Sequence, residues 1–179
     1  MSRINIPTRD EAPAAAKATL DAINAQLGRV PNFYRALSTS PAVLTALTAQ
    51  SQALGKVLDA RLRERIALTV ADVNGCEYCD AAHSFIALNM ARLSPAEIDR
   101  ARQGVSDDDK AQAAVGFARK IAETRGKVAD EDIAEVRAAG FDDSQIVEIV
   151  ALVAENFFTN LVNNVVRTEV DFPAIDVAA

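Results

Sequence analysis

Punctuation limits this chain more than any other feature of it. Its 7 glycines and 6 prolines, in 179 residues, fall almost entirely between stretches whose apolar positions recur at three- and four-residue steps. No short run alternates apolar and polar residues with the β-branched enrichment of a strand. Alanine, the strongest helix former, is roughly a fifth of the chain, aromatics are 5%, and Trp is absent. The expected class is all-α, with about eight helices in a single domain over residues 1–179.

Start and stop signals set the expected boundaries. A first helix runs over about residues 10–27, with Pro13 in its opening turns and Gly28 after its end, followed by a short helical turn near 31–37. Ser40 and Pro41 open a helix that Gly55 ends. Asp59 opens another, whose Leu62, Ile66, Ala67, Val70 and Val73 run down to an Asn74-Gly75 break. Residues 76 to about 90 form the next, with a Cys-x-x-Cys pair at its N-terminus. Ser94-Pro95-Ala96-Glu97 is a capping box for a helix reaching Gln103. Ser106 is expected to cap a segment running to about Thr124, with Asp107 to Asp109 at its positive end. Asp130 and Asp142 are expected to cap the last two. The final one, about 143–167, carries Ile146, Val147, Val150, Leu152, Val153, Phe157 and Phe158 over much of its circumference, which predicts burial in the core or against another subunit. A weak internal echo, offset by 148 − 64 = 84 positions, sets Glu64, Ala67 and Leu68 against Glu148, Ala151 and Leu152. It also sets Cys76 and Cys79 against Asn160 and Asn163, with halves at about 29–104 and 105–179.

Charge and counting exclude several function classes. A net charge of −6 leaves no basic stripe for phosphates, so nucleic acid is not an expected partner. The longest apolar run, Ile149 to Ala154, lies between Glu148 and Glu155 and is far short of the roughly 20 residues of a membrane span. No membrane partner is expected. The N-terminal residues include Arg3, Arg9, Asp10 and Glu11 without a continuous apolar stretch, which makes a cytoplasmic location the expectation. Two cysteines and one histidine are too few for a disulfide framework or a cysteine-rich zinc domain.

Those three residues stand together in Cys76-Glu77-Tyr78-Cys79-Asp80-Ala81-Ala82-His83. Thiols in the first turn of a helix face unpaired N–H groups and the positive dipole end, which favour the reactive thiolate. His83, four residues after Cys79, shares a face with that sulfur and can exchange its proton. Glu64, on the preceding helix, can orient the imidazole if the Asn74-Gly75 turn folds the two helices back on each other. A Cys76–Cys79 disulfide would close a very short loop, where loop-closure entropy stabilises least, so it suits turnover better than structure. The competing readings are small buried thiols that merely pack, or a cramped metal site using Cys76, Cys79, His83 and Glu64. Glu64 also sits among Arg61, Arg63 and Arg65, where a solvated ion-pairing role is the plain alternative. Covalent haem attachment is excluded because Asp80 follows Cys79.

Glu64, Cys76-x-x-Cys79 and His83 at these spacings resemble the core motif of the AhpD-like alkylhydroperoxidases of the carboxymuconolactone decarboxylase superfamily. Gly28-Arg29-Val30-Pro31-Asn32-Phe33 and the tail around Asn156 to Asp171 look like its peroxidase-related branch. The resemblance implies an all-helical subunit assembling as a trimer or hexamer, hydroperoxide as substrate, an external dithiol or disulfide reductant, and no bound cofactor or metal. It further implies Cys79 as the attacking thiol, Cys76 as its resolving partner, His83 as base and Glu64 as the far end of the relay. The family prototype carries a histidine where this chain has Tyr78, which is expected either to pack or to act as a relay or substrate contact. The alternatives are a lyase like the carboxymuconolactone decarboxylases proper, which lack the cysteine pair, and a non-catalytic helical assembly module. Asn160 and Asn163 are expected either at a helix interface or lining the same cavity.

Overall fold

A computed structural model describes residues 1–173, and the described residues form nine α-helices and no strand. They are α1 (Ala14–Leu27), α2 (Asn32–Leu37), α3 (Pro41–Leu54), α4 (Ala60–Val73), α5 (Glu77–Asn89), α6 (Pro95–Arg102), α7 (Asp109–Thr124), α8 (Asp130–Ala138) and α9 (Asp143–Val166). The all-α expectation holds, and the ninth helix is the six-residue α2, expected only as a turn. The span expected for the domain and for its second half includes residues 174–179, which lie outside the described residues.

Several boundaries differ from expectation for reasons of capping. α1 begins at Ala14 because Pro13, with extended backbone, is its N-cap; residues 9–11 form a separate turn. At α7 the cap is Asp108, which accepts from Ala111 N–H at 2.7 Å, while Ser106 Oγ accepts from the Asp108 N–H just ahead of it. Asp130 is already helical at α8. There Asp132 reaches back to the Ala129 N–H at 2.7 Å, so the acid inside the first turn replaces a cap side chain. Asp59, Ser94 and Asp142 cap α4, α6 and α9 as expected.

α4 is the centre of the bundle and packs against α5, α6, α7 and α9. Its residues from Arg65 to Ala71 are buried without a break, so no side of its middle faces solvent. The two polar members of that run have partners. Arg65 pairs with Glu97 at 2.9 Å, and Thr69 donates to the Ala101 and Arg65 carbonyls. Leu62, Ile66 and Val70 join α7, α8 and α9 in one apolar cluster, and Leu68 joins α5 and α6 in another. Ala71 enters a third, where α1, α2 and α3 close over Cys76, Tyr78 and Cys79.

α9 is long and apolar enough to cross a membrane by length and composition, a property that the short apolar run did not suggest. In the bundle one flank packs against α3, α4, α5 and α7. That flank is apolar at Ile146, Ile149 and Val153, then turns polar at Asn156, Asn160 and Asn163 on the same three- and four-residue rhythm.

Candidate active site

The site begins at the turn between α4 and α5. Gly75 has φ +58°, and the N–H groups of Gly75 and Cys76 return to the carbonyls of Asp72 and Ala71, both at 3.0 Å. This pattern stops α4 and reverses the chain within two residues. Cys76 is then the N-cap of α5: its Sγ accepts from the Cys79 N–H at 3.3 Å, the place a serine or aspartate oxygen more often fills. Cys79 sits in the first turn, as expected, and both thiols are free and about 2% exposed.

The reversal brings α4 alongside α5 and places Glu64 Oε2 2.9 Å from His83 Nδ1. A carboxylate only accepts, so Nδ1 carries the proton and Nε2 remains for proton exchange. Burial by itself would lower the His83 pKa, but the Glu64 carboxylate outweighs it and the net direction is up. The arginines around Glu64 are engaged elsewhere. Arg61 and Arg65 both reach Glu97, and Arg63 donates to the Val57 and Leu58 carbonyls. Glu64 is therefore not the solvated ion-pair residue of the plain alternative.

Cys79 has a polar neighbourhood despite its burial. Asn163 Nδ2, from α9, donates to its sulfur at 3.3 Å. The hydrogen bond with the Cys76 thiol, the charge on His83 and the Asn163 and Asn160 amides together outweigh burial and bring its pKa down to about 6. The same hydrogen bond, together with burial, pushes the Cys76 thiol up. The two sulfurs are thus split into a thiolate at neutral pH and a protonated neighbour.

Three solved structures share this architecture. A protein described as an alkylhydroperoxidase AhpD core, an uncharacterized peroxidase-related protein from Ralstonia eutropha JMP134, has 24% identity and a TM-score of 0.84, over 95% of this chain and 92% of its own. An uncharacterized peroxidase-related protein from Silicibacter sp. TM1040 has 24% identity and a TM-score of 0.83, over 94% of this chain and 91% of its own. The debrominase Bmp8, solved with 2,3,4-tribromopyrrole, has 20% identity and a TM-score of 0.80, over 96% and 94%. No curated protein matches the sequence. The sequence profile of the carboxymuconolactone decarboxylase family matches residues 41–124, which include Glu64, both cysteines and His83. Residues 41–124 therefore resemble the carboxymuconolactone decarboxylase family, and the chain has the AhpD-like fold. Peroxidase-related proteins and a debrominase both use this fold, so the fold alone does not name the reaction.

In this AhpD-like protein Tyr78 points to a different task from proton relay at the sulfurs. Its hydroxyl donates to Asp171 at 2.9 Å and accepts from the Phe33 N–H at 3.1 Å, while its ring packs on Phe33 and Phe172. Asp171 also accepts from the Asn32 N–H, and Arg29 lies over the Phe172 ring. Tyr78 thus fastens the tail and the start of α2 over the cysteine helix.

Sequence reasoning missed Glu155. It lies half-buried on α9, shares a hydrogen bond with Ser51 of α3, and is close enough to His83 for their charges to interact. Burial raises its pKa, against the opposing pull of Ser51 and His83. The signal was present: it is the one ionisable residue of α9 between Glu148 and Val166. Asn160 and Asn163, weighed as interface or cavity residues, lie at the sulfurs themselves. A cavity of about 670 Å³ bordered by Leu58, Arg61, Arg65, Glu97, Arg100 and Phe141 touches none of the cysteine, histidine or Glu64 side chains. Among the described residues, no group of three His, Cys, Asp or Glu is placed to hold a metal ion.

Proposed function

We propose that this protein is a thiol-dependent peroxidase that reduces hydroperoxides at Cys79 and recycles through Cys76. The observation that carries the reading is the asymmetry of the pair: Cys79 accepts from Asn163 Nδ2 at 3.3 Å beside a His83–Glu64 couple, while Cys76 stays protonated. The Cys79 thiolate attacks the outer oxygen of a hydroperoxide, the O–O bond breaks, and Cys79 becomes a sulfenic acid. The departing alkoxide takes a proton from His83, whose charged form Glu64 supports. The Cys76 sulfur then displaces water from the sulfenic acid to give the disulfide. An external dithiol reduces that bond by thiol exchange and is itself oxidised to a disulfide. The cycle suits a reducing cytoplasm, where such a pair returns to its dithiol form. In this reading the active form is a homo-oligomer, with the exposed apolar residues of α9 as its contact face.

The test is hydroperoxide consumption with a dithiol donor, for the wild type and two variants. Cys79→Ser abolishes consumption. Cys76→Ser consumes one equivalent, leaves a sulfenic acid that dimedone traps, and does not turn over. Equal residual activity in the two variants overturns the assignment of roles, and decarboxylation of a lactone carboxylic acid that survives thiol alkylation favours a lyase instead.

A further inference from the structure

At two buried positions α9 carries side-chain atoms that bond to nothing among the described residues. Asn160 is fully buried, and its Oδ1 accepts from Asn74 Nδ2 at 2.9 Å, while its Nδ2 is near enough to Cys79 to favour the thiolate but completes no hydrogen bond there. Asn163 is 4% exposed; its Nδ2 serves both the Thr159 carbonyl and Cys79 Sγ, and its Oδ1 has no partner. Each orphaned amide atom in a dry interior costs on the order of 1–3 kcal/mol. One helical turn separates the two residues, so a donor without an acceptor and an acceptor without a donor lie side by side next to the reactive sulfur. The simplest chemical group that satisfies both is a hydroxyl, whose oxygen accepts and whose hydrogen donates.

We propose that Asn160 and Asn163 form a cradle for the oxygen atom that Cys79 takes from a hydroperoxide. Asn160 Nδ2 donates to a lone pair of that oxygen, and Asn163 Oδ1 accepts the proton it carries in the hydroperoxide and in the sulfenic acid, so the oxygen is held in line with Cys79 Sγ while the negative charge leaves on the alkoxide. Asn163 Nδ2 stays on the sulfur throughout. The inference rests on the peroxidase reading and deepens it in two ways. It adds residues from the far end of the chain to the reacting atoms, and it selects oxidants that present a small O–H group at the attacked oxygen. Hydrogen peroxide and primary alkyl hydroperoxides meet that requirement. Dialkyl peroxides, which have no O–H, do not.

The experiment uses the Cys76→Ser protein, in which oxidation stops at the sulfenic acid. Two rates on Cys79 are compared at a pH above its thiolate midpoint. One is oxidation by hydrogen peroxide, which needs the cradle, and the other is alkylation by iodoacetamide, which does not. Asn160→Ala is expected to slow oxidation at least tenfold while alkylation changes less than twofold, and Asn160→Ser, which restores a small donor, to recover part of the loss. Asn74→Ala removes the bond that holds Asn160 Oδ1 and is expected to slow oxidation more than alkylation, by less than Asn160→Ala does. If oxidation and alkylation fall together in Asn160→Ala, or if neither changes, Asn160 serves the thiolate or the packing only and the cradle is refuted. Failure of the parent Cys76→Ser protein to form any sulfenic acid overturns the peroxidase reading itself, and the cradle falls with it.

Discussion

Cys79 holds its low pKa because donors reach it from separate parts of the chain: the Cys76 thiol from the turn, His83 from one turn along α5, and amides from α9. With a pKa of about 6 the thiolate predominates at neutral pH, and reactivity is lost as pH falls through that value. Alkylation of Cys79 followed against pH should therefore rise to a plateau with a midpoint near 6; a midpoint near the ordinary thiol value would contradict the geometry. Glu64→Gln removes the largest of the influences that raise His83, which Cys79 and Glu155 also raise, so burial weighs more and its pKa falls. The imidazole is then neutral at lower pH and supports the thiolate less, so the alkylation midpoint moves up and peroxide turnover drops about a hundredfold. A Glu64→Gln profile that overlays the wild type would return Glu64 to the role of a surface charge.

Among the elements, the two-residue reversal between α4 and α5 does more than join helices. It makes Cys76 the last residue of one hydrogen-bond pattern and the cap of the next, which fixes the sulfur at the N-terminus of α5. A side chain at Gly75 meets no atom within 4 Å, so the cost of replacing it lies in the positive φ alone. Gly75→Ala should lower stability by about 1 kcal/mol, seen as a lower urea midpoint at unchanged slope. A distinct prediction concerns Tyr78. Tyr78→Phe leaves the Phe33 N–H and Asp171 without that partner and should cost about 1 kcal/mol of stability. Turnover should stay within twofold of the wild type, because the hydroxyl is directed at the tail. Loss of turnover with unchanged stability would restore Tyr78 to the relay.

At the scale of the whole molecule, α9 has two different flanks. The buried flank of α9 supplies Asn160 and Asn163 to the thiols, and the opposite flank exposes Val147, Val150, Phe158, Leu161 and Val165 at helical spacing. Between Glu148 and Arg167 the one charged residue of this helix, Glu155, is taken up by Ser51 of α3. An apolar stripe this long on a single chain is suited to pairing with its own copy. If copies pair through this stripe, light scattering should show the wild type larger than one chain and the Leu161→Glu, Val165→Glu double variant monomeric, with the thiols still alkylating at a midpoint near 6. A wild-type protein that is itself monomeric would refute this use of the stripe.

Residue order alone suffices for whatever depends on neighbours along the chain. Helical periodicity, the caps at Asp59, Ser94 and Asp142, the break at Gly75 and the shared face of Cys79 and His83 are all local, and a residue-by-residue reading reaches them. Where local signals competed, as among the acids at the starts of α7 and α8, the hydrogen bond that forms selects the side chain that caps. Contacts across the core emerge only in the folded bundle. Glu64 turns to His83 rather than to its flanking arginines, Tyr78 fastens the tail, and Glu155, Asn160 and Asn163 come to the cysteine helix from the far end of the chain. The Glu64–His83 pair follows from the α4–α5 reversal, whose spacing could be counted, whereas the α9 contacts depend on how that helix lies against α4 and α5, which summed packing over the bundle sets and no spacing reveals.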